Sequence, residues 1–72
     1  MMLSQYSGIK YGYCLEVETG HYLLFDNKYI THAYLQGVDA RIFRNELAII
    51  DELKDPESKT GLLIENIISL YL

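Results

Sequence analysis

Between Ile9 and Glu18 the sequence alternates. Ile9, Tyr11, Tyr13, Leu15 and Val17 stand at the odd positions, and Lys10, Gly12, Cys14, Glu16 and Glu18 at the even ones. A side-chain period of two is the signature of a strand buried on one face. A helix cannot use that pattern, because it brings residues three and four apart onto one side. The alternation commits the opening of the chain to a sheet.

Two turn signals divide the stretch from Thr19 to Gly37. Thr19-Gly20 offers a tight turn, since glycine accepts positive φ. Asn27-Lys28 offers a second, since asparagine tolerates the left-handed region. His21 to Asp26 is then a second strand, and Tyr29 to Leu35 a third that Gly37 ends. Residues 9–36 are expected to form an antiparallel meander, with 1–8 a flexible lead-in.

Past Gly37 the period changes. Ile42, Phe43, Leu47, Ile50 and Leu53 fall on one stripe at helical spacing, and Asp39 can cap a helix from about Ala40 to Lys54. Asp55-Pro56-Glu57 supplies a second start: a cap, a proline at the first helical position, and an acid at the positive end of the dipole. That helix would run to about Tyr71. Gly61 inside it costs about 1 kcal/mol, so a later start with Thr60 as cap competes. Leu62 to Leu72 is apolar round most of its circumference, as in a helix buried on several sides. Its isoleucines leave a C-terminal strand as the alternative. The expected fold is a single α+β domain over residues 1–72. It has a three-stranded antiparallel β-meander followed by two α-helices (39–72) in two layers.

Size then becomes a constraint. A chain of 72 residues buries only about 60% of its unfolded surface. Ordering costs about 1.5 kcal/mol per residue against about 25 cal/mol per Å² of apolar burial, and the two nearly cancel. Such a domain needs a staple. Cys14 is the only cysteine, so no disulfide forms within the chain. A structural zinc takes about four ligands, and Cys14, His21 and His32 supply too few. A homo-oligomer, or a tight complex with another protein, is the staple left over.

Ten acids against six bases give a net charge of −4. The bases Lys10, Lys28, Arg41, Arg44, Lys54 and Lys59 are scattered along the chain. Nucleic-acid binders concentrate positive charge on phosphates, so direct nucleic-acid binding is not expected. The same reasoning excludes an anionic membrane surface. No stretch approaches the roughly 18 apolar residues of a membrane helix. The opening, whose first positive charge is Lys10, does not read as a signal peptide. A single thiol suits a reducing compartment, and a cytoplasmic location is expected.

Two-residue turns fix a register. Glu18 pairs with His21, so Val17 faces Tyr22 and Leu15 faces Leu24; Phe25 pairs with Ile30, so Leu24 faces Thr31 and Tyr22 faces Ala33. One face then collects Tyr11, Tyr13, Leu15, Val17, Tyr22, Leu24, Ala33 and Leu35, a floor for the helices. The other carries Leu23, Phe25, Ile30 and Tyr34, with Cys14 adjacent. That is too apolar for a solvated face. Either the C-terminal segment or a partner is expected to cover it.

The same second face collects Glu16, Glu18, His21, His32, Tyr34 and Cys14. A carboxylate beside an imidazole can serve acid–base catalysis, and a cysteine near a histidine can serve thiol catalysis. Three short strands make a poor pocket, however. Cross-strand ion pairing near a hairpin tip, worth about 0.2–1 kcal/mol, accounts for the cluster more simply. A metal held by His21, His32 and Cys14 or Asp26 would be zinc or copper, but the chain has no paired-ligand motif. The run Asp51, Glu52, Asp55, Glu57 lacks the spacing of a calcium loop. With Lys54 and Lys59 beside it, it reads as a solvated face or as a patch for a basic partner. No phosphate loop and no nucleophile elbow occur. No catalytic residue, metal ligand or cofactor is therefore assigned.

The run Gly8-Ile9-Lys10-Tyr11-Gly12-Tyr13, a hairpin and the later Arg41 resemble the start of GIY-YIG nuclease domains. The second Tyr-Ile-Gly element is missing, since the third strand reads Tyr29-Ile30-Thr31. The chain lacks room for the rest of that domain, and its charge is wrong for DNA. The family is not adopted.

Seven tyrosines and no tryptophan suit half-buried strands, and they also suit an interface. The expected function is a non-catalytic protein–protein interaction module, a small regulator, inhibitor or adaptor. Its contacts would be Leu23, Phe25, Tyr29, Ile30 and Tyr34, with Asp51 and Glu52 as an acidic adjunct. One alternative is an acidic inhibitor, of the antitoxin, phage or immunity type, of a nucleic-acid-binding protein. Another is a small metal-binding or enzymatic subunit using Glu18, His21, His32 and Cys14.

Overall fold

The computed structural model describes residues 4–28, 30–53 and 59–72. Strands β1 (Gln5–Ser7), β2 (Tyr11–Glu16), β3 (His21–Asp26) and β4 (His32–Leu35) form one antiparallel sheet in chain order. Helices α1 (Val38–Leu53) and α2 (Lys59–Ser69) follow. The class is α+β, as the change of period predicts, but the meander has four strands where three were expected. The added strand comes from the segment read as a flexible lead-in. It pairs Tyr6 with Tyr13, and the two rings stack with centroids 6.1 Å apart.

Both later hairpin loops are longer than expected, each by the same even step. Glu16, not Glu18, pairs with His21, so residues 17–20 form the β2–β3 loop. Gly20, at φ +77°, closes it by donating its N–H to the Glu16 carbonyl at 2.8 Å. In the next hairpin His32, not Ile30, pairs with Phe25. The Asp26 carboxylate sets that loop by accepting the N–H groups of Lys28, Ile30 and Thr31 at 2.9, 3.1 and 3.0 Å. Desolvation raises the Asp26 pKa, but these donors outweigh it and hold the carboxyl below its ordinary value. Each register is displaced by two positions, which is one full side-chain period. Every residue that stays in a strand therefore keeps its predicted face. Val17 and Ile30 do not stay in strands; they sit in loops, 77% and 75% exposed.

Both helices pack on the Tyr13 face. The core joins Tyr13, Tyr22, Leu24 and Leu35 of the sheet to Ala40, Phe43, Leu47 and Ile50 of α1 and Ile64 and Ile68 of α2. Phe43 is its centre, edge-on to Tyr22, Tyr13 and Tyr71 at 4.9, 5.5 and 6.0 Å. The C-terminal segment is thus helical and covers the already apolar floor, not the second face. On α1, Ile42 is 43% exposed and Ala40 takes its place in the core. The helix starts earlier than expected. The Gly37 carbonyl accepts the Arg41 N–H, and Asp39 lies within the first turn, where its charge suits the dipole. The expected start at Asp55-Pro56-Glu57 lies outside the described residues, and Thr60 is already within α2.

Two polar side chains pin the turn between β1 and β2. The Asn27 amide donates to the carbonyls of Gly8, at 2.7 Å, and Ile9. Glu65 of α2 accepts the N–H groups of Lys10 and Tyr11 at 2.6 and 3.0 Å. Among the described residues, no helix is long and apolar enough to cross a membrane.

Candidate functional site

The sheet face away from the helices is open, and the register lays it out in rows. Gln5, Cys14, Leu23 and Tyr34 form the middle row across the strands. Ser7, Gly12, Phe25 and His32 lie on one side of it. Glu16 and His21 lie on the other, beside the β2–β3 loop. Leu23 is 39% exposed and Tyr34 49% exposed, and Phe25 is half-buried.

Small residues give this face its relief. A Cβ on Gly12 would come within 2.8 Å of the Phe25 ring and would also strike the Tyr6 carbonyl. The ring lies against the glycine, its cross-strand partner. Beside it, along β1 and β2, a depression of about 400 Å³ is lined by Gln5, Ser7, Cys14 and Phe25 together with Tyr6 and Tyr13.

The polar end of the face is a hydrogen-bonded chain of three side chains. The Tyr34 hydroxyl donates to Glu16 Oε2 at 3.2 Å, and His21 Nδ1 lies 2.8 Å from the same hydroxyl oxygen. A phenol has one proton to give. With that proton on the Glu16 bond, His21 Nδ1 carries the hydrogen of the other bond. The His21 and Tyr34 rings meet edge-on at 5.4 Å. Desolvation first, and then the Glu16 charge and its hydrogen bond, push the Tyr34 pKa above its ordinary value. The hydroxyl is therefore a proton donor at neutral pH. Glu16 holds the place that a two-residue turn would give to Glu18, which stands exposed in the loop.

The register keeps the other reactive groups apart. Cys14 and His21 are diagonal neighbours, roughly 7–8 Å between Cα atoms. His32 lies in the outer row opposite His21, two rows away. Among the described residues, no group of three His, Cys, Asp or Glu side chains is placed to hold a metal ion.

Of the seven residues expected to bind a partner, Leu23, Phe25 and Tyr34 share the open face. Ile30 projects from the β3–β4 loop, off the row assigned to it. Tyr29 lies outside the described residues. Asp51 and Glu52 sit at the C-terminal end of α1, in the layer behind the sheet. Open face and acidic end are two separate surfaces.

A second cleft, of about 420 Å³, has no counterpart in the sequence pattern. It lies at the far end of the sheet, bordered by the β1–β2 turn and the β3–β4 loop, with Tyr11 and Leu72 among its lining. The polar groups that shape it, Asp26 and Asn27, are engaged by loop backbone. That occupation marks them as structural. Their sequence signal is the Asp-Asn pair at the end of β3.

The geometry defines a small α+β domain with two helices on one side of a four-stranded sheet and an open, partly apolar face on the other. No protein-family model matches the chain, and no curated protein or solved structure matches it either.

Proposed function

We propose that this chain is a non-catalytic protein–protein interaction module, a small regulator, inhibitor or adaptor, that binds a protein partner through the open face of its sheet. The observation that carries the reading is the placement of both helices on the Tyr13 face, which leaves Leu23 and Tyr34 exposed on the other face, beside the half-buried Phe25. Sheet faces with aromatic and aliphatic side chains are stable against water when something packs on them. Leu23 and Tyr34 serve as anchors, and the depression beside Phe25 is the place for a partner side chain. Glu16 and His21 form a polar rim at one end. Asp51 and Glu52, on the other layer, are a secondary contact for a basic surface. Cys14, an exposed free thiol, is compatible with the reducing cytoplasm as the compartment.

The test is loss of binding without loss of fold. Leu23→Asp and Tyr34→Asp each put a charge at the centre of the face while leaving the core untouched. Both variants should keep the parent's circular dichroism and a cooperative unfolding transition, at a lowered midpoint, and both should lose the partner. Binding undiminished in both would sink the reading. Weak dependence on salt is expected, because the contact is apolar. A steep salt dependence would move the contact to Asp51 and Glu52.

A further inference from the structure

We propose that two copies of this chain pair antiparallel along the outer edge of β4, about a two-fold axis at Ala33, making one continuous eight-stranded sheet. The pairing runs through the backbone of the strand edge and not through the side chains of the open face, so it stands independently of the function proposed above.

The direction of the backbone groups is the starting point. The Asp26 N–H donates to the Thr31 carbonyl, and the Asn27 N–H to the Lys10 carbonyl. Even positions of β3 therefore bond to β4, and odd ones to β2. On β4 the partners of Asp26, Leu24 and Tyr22 are Thr31, Ala33 and Leu35. Those residues turn their N–H and C=O groups inward. His32 and Tyr34 turn theirs outward, and no hydrogen bond among the described residues reaches them.

Edge strands are ordinarily guarded by lysine, proline, a bulge or extreme shortness. β4, four residues long, carries no lysine, no proline and no bulge. Residues 29–38 contain no Asp, Glu, Lys, Arg or Pro, the longest uncharged run in the chain. The opposite edge, β1, is three residues long and ends at the Gly8 turn.

Charge selects a second copy as the occupant. A chain of net charge −4 repels itself wherever acids face acids, and the β4 edge is a stretch where none do. The carboxylates nearest the axis, Asp26 on each β3, are held by the N–H groups of Ile30 and Thr31 and would be about three strand spacings apart, ~14 Å, beyond the Debye length of about 10 Å. With the axis at Ala33, His32 of each copy pairs with Tyr34 of the other, and each pair exchanges both its N–H···O=C bonds. The smallest side chain of the strand meets itself at the axis. So short an edge buries less than a standard interface, so the dimer is weak.

Sedimentation velocity from about 10 µM to 1 mM tests this, with the parent and three variants. His32→Pro removes an outward N–H and leaves the β3–β4 ladder intact, as proline is tolerated on an edge strand. It should raise the dissociation constant at least tenfold. Leu23→Asp, on the open face, should leave it unchanged. Ala33→Cys in a Cys14→Ser background should form an intermolecular disulfide under mild oxidation, and Gln5→Cys in the same background should not. A parent that stays monomeric to 1 mM overturns the proposal. So does a folded His32→Pro that dimerises like the parent, or a Leu23→Asp that abolishes the dimer. Species that grow beyond the dimer would indicate head-to-tail pairing of β4 with β1, and would overturn it too. If His32→Pro fails to fold, the disulfide pair decides: no cross-link at position 33 ends the proposal.

Discussion

Glu65 Oε1 accepts the backbone N–H of Tyr11 at 3.0 Å, across 54 positions of sequence. The same oxygen accepts the N–H of Lys10. One carboxylate on the last helix therefore closes the first turn of the sheet, and a Cβ on Gly8 would strike it at 2.7 Å. The contact ties the β1–β2 turn to α2. Carboxylate–amide bonds are stronger than neutral ones because the acceptor is charged.

Glu65→Ala should destabilise the fold by about 1–3 kcal/mol, as expected for losing hydrogen bonds to a charged group. Glu65→Gln, which keeps an acceptor at the same reach, should lose less. Urea denaturation read by tyrosine fluorescence measures both. Equal losses would mean that packing, not the carboxylate, holds the turn.

Gly12→Ala is expected to cost about 1–3 kcal/mol, the usual penalty for overpacking. The added methyl would press on the Phe25 ring and on the Tyr6 carbonyl, which is backbone and cannot swing away. The loss should fall by part, not wholly, in a Gly12→Ala/Phe25→Leu double variant, because the carbonyl clash remains. Denaturation midpoints of the three proteins check this.

Alkaline stability reports the core. Burial first, and then Tyr22 and Tyr6, push the Tyr13 phenol up to about 12. In the unfolded chain it ionises near 10. A group whose folded pKa is the higher one stabilises fully below the unfolded value and loses that contribution as pH rises through the folded one. Stability should be flat to about pH 10 and fall between about 10 and 12. Tyr13→Phe should soften that fall. Tyr22, also raised by burial, should keep some of it in place. An unchanged alkaline midpoint in Tyr13→Phe would contradict the assignment.

The two faces of the sheet are legible in the sequence because their signal is periodic. Both loops exceed the expected length by two residues, and a period of two absorbs that difference. The loops themselves are not legible as lengths. Gly20 can close a two-residue or a four-residue turn equally well, and Asp26 determines its loop by gathering N–H groups up to five residues on. Strand β1 is not legible because three residues with one apolar member, Tyr6, carry no period. Its placement comes from the Tyr6–Tyr13 stack, a tertiary contact. The polar chain follows the loops: moving the register by two exchanges Glu18 for Glu16 beside His21. The helices are legible from the stripe of Phe43, Leu47 and Ile50. Their side of the sheet is legible from the tyrosine floor.

The most direct test of the central claim is comparative capture from native lysate at low and high salt. Tagged parent, a Leu23→Asp/Tyr34→Asp double variant and an Ile49→Asp control would be compared, the last changing an exposed residue of α1. A stoichiometric protein partner is expected on the parent and the control, retained at high salt, and none on the open-face variant. A partner held equally by the folded open-face variant, or lost from the α1 control instead, would contradict the claim.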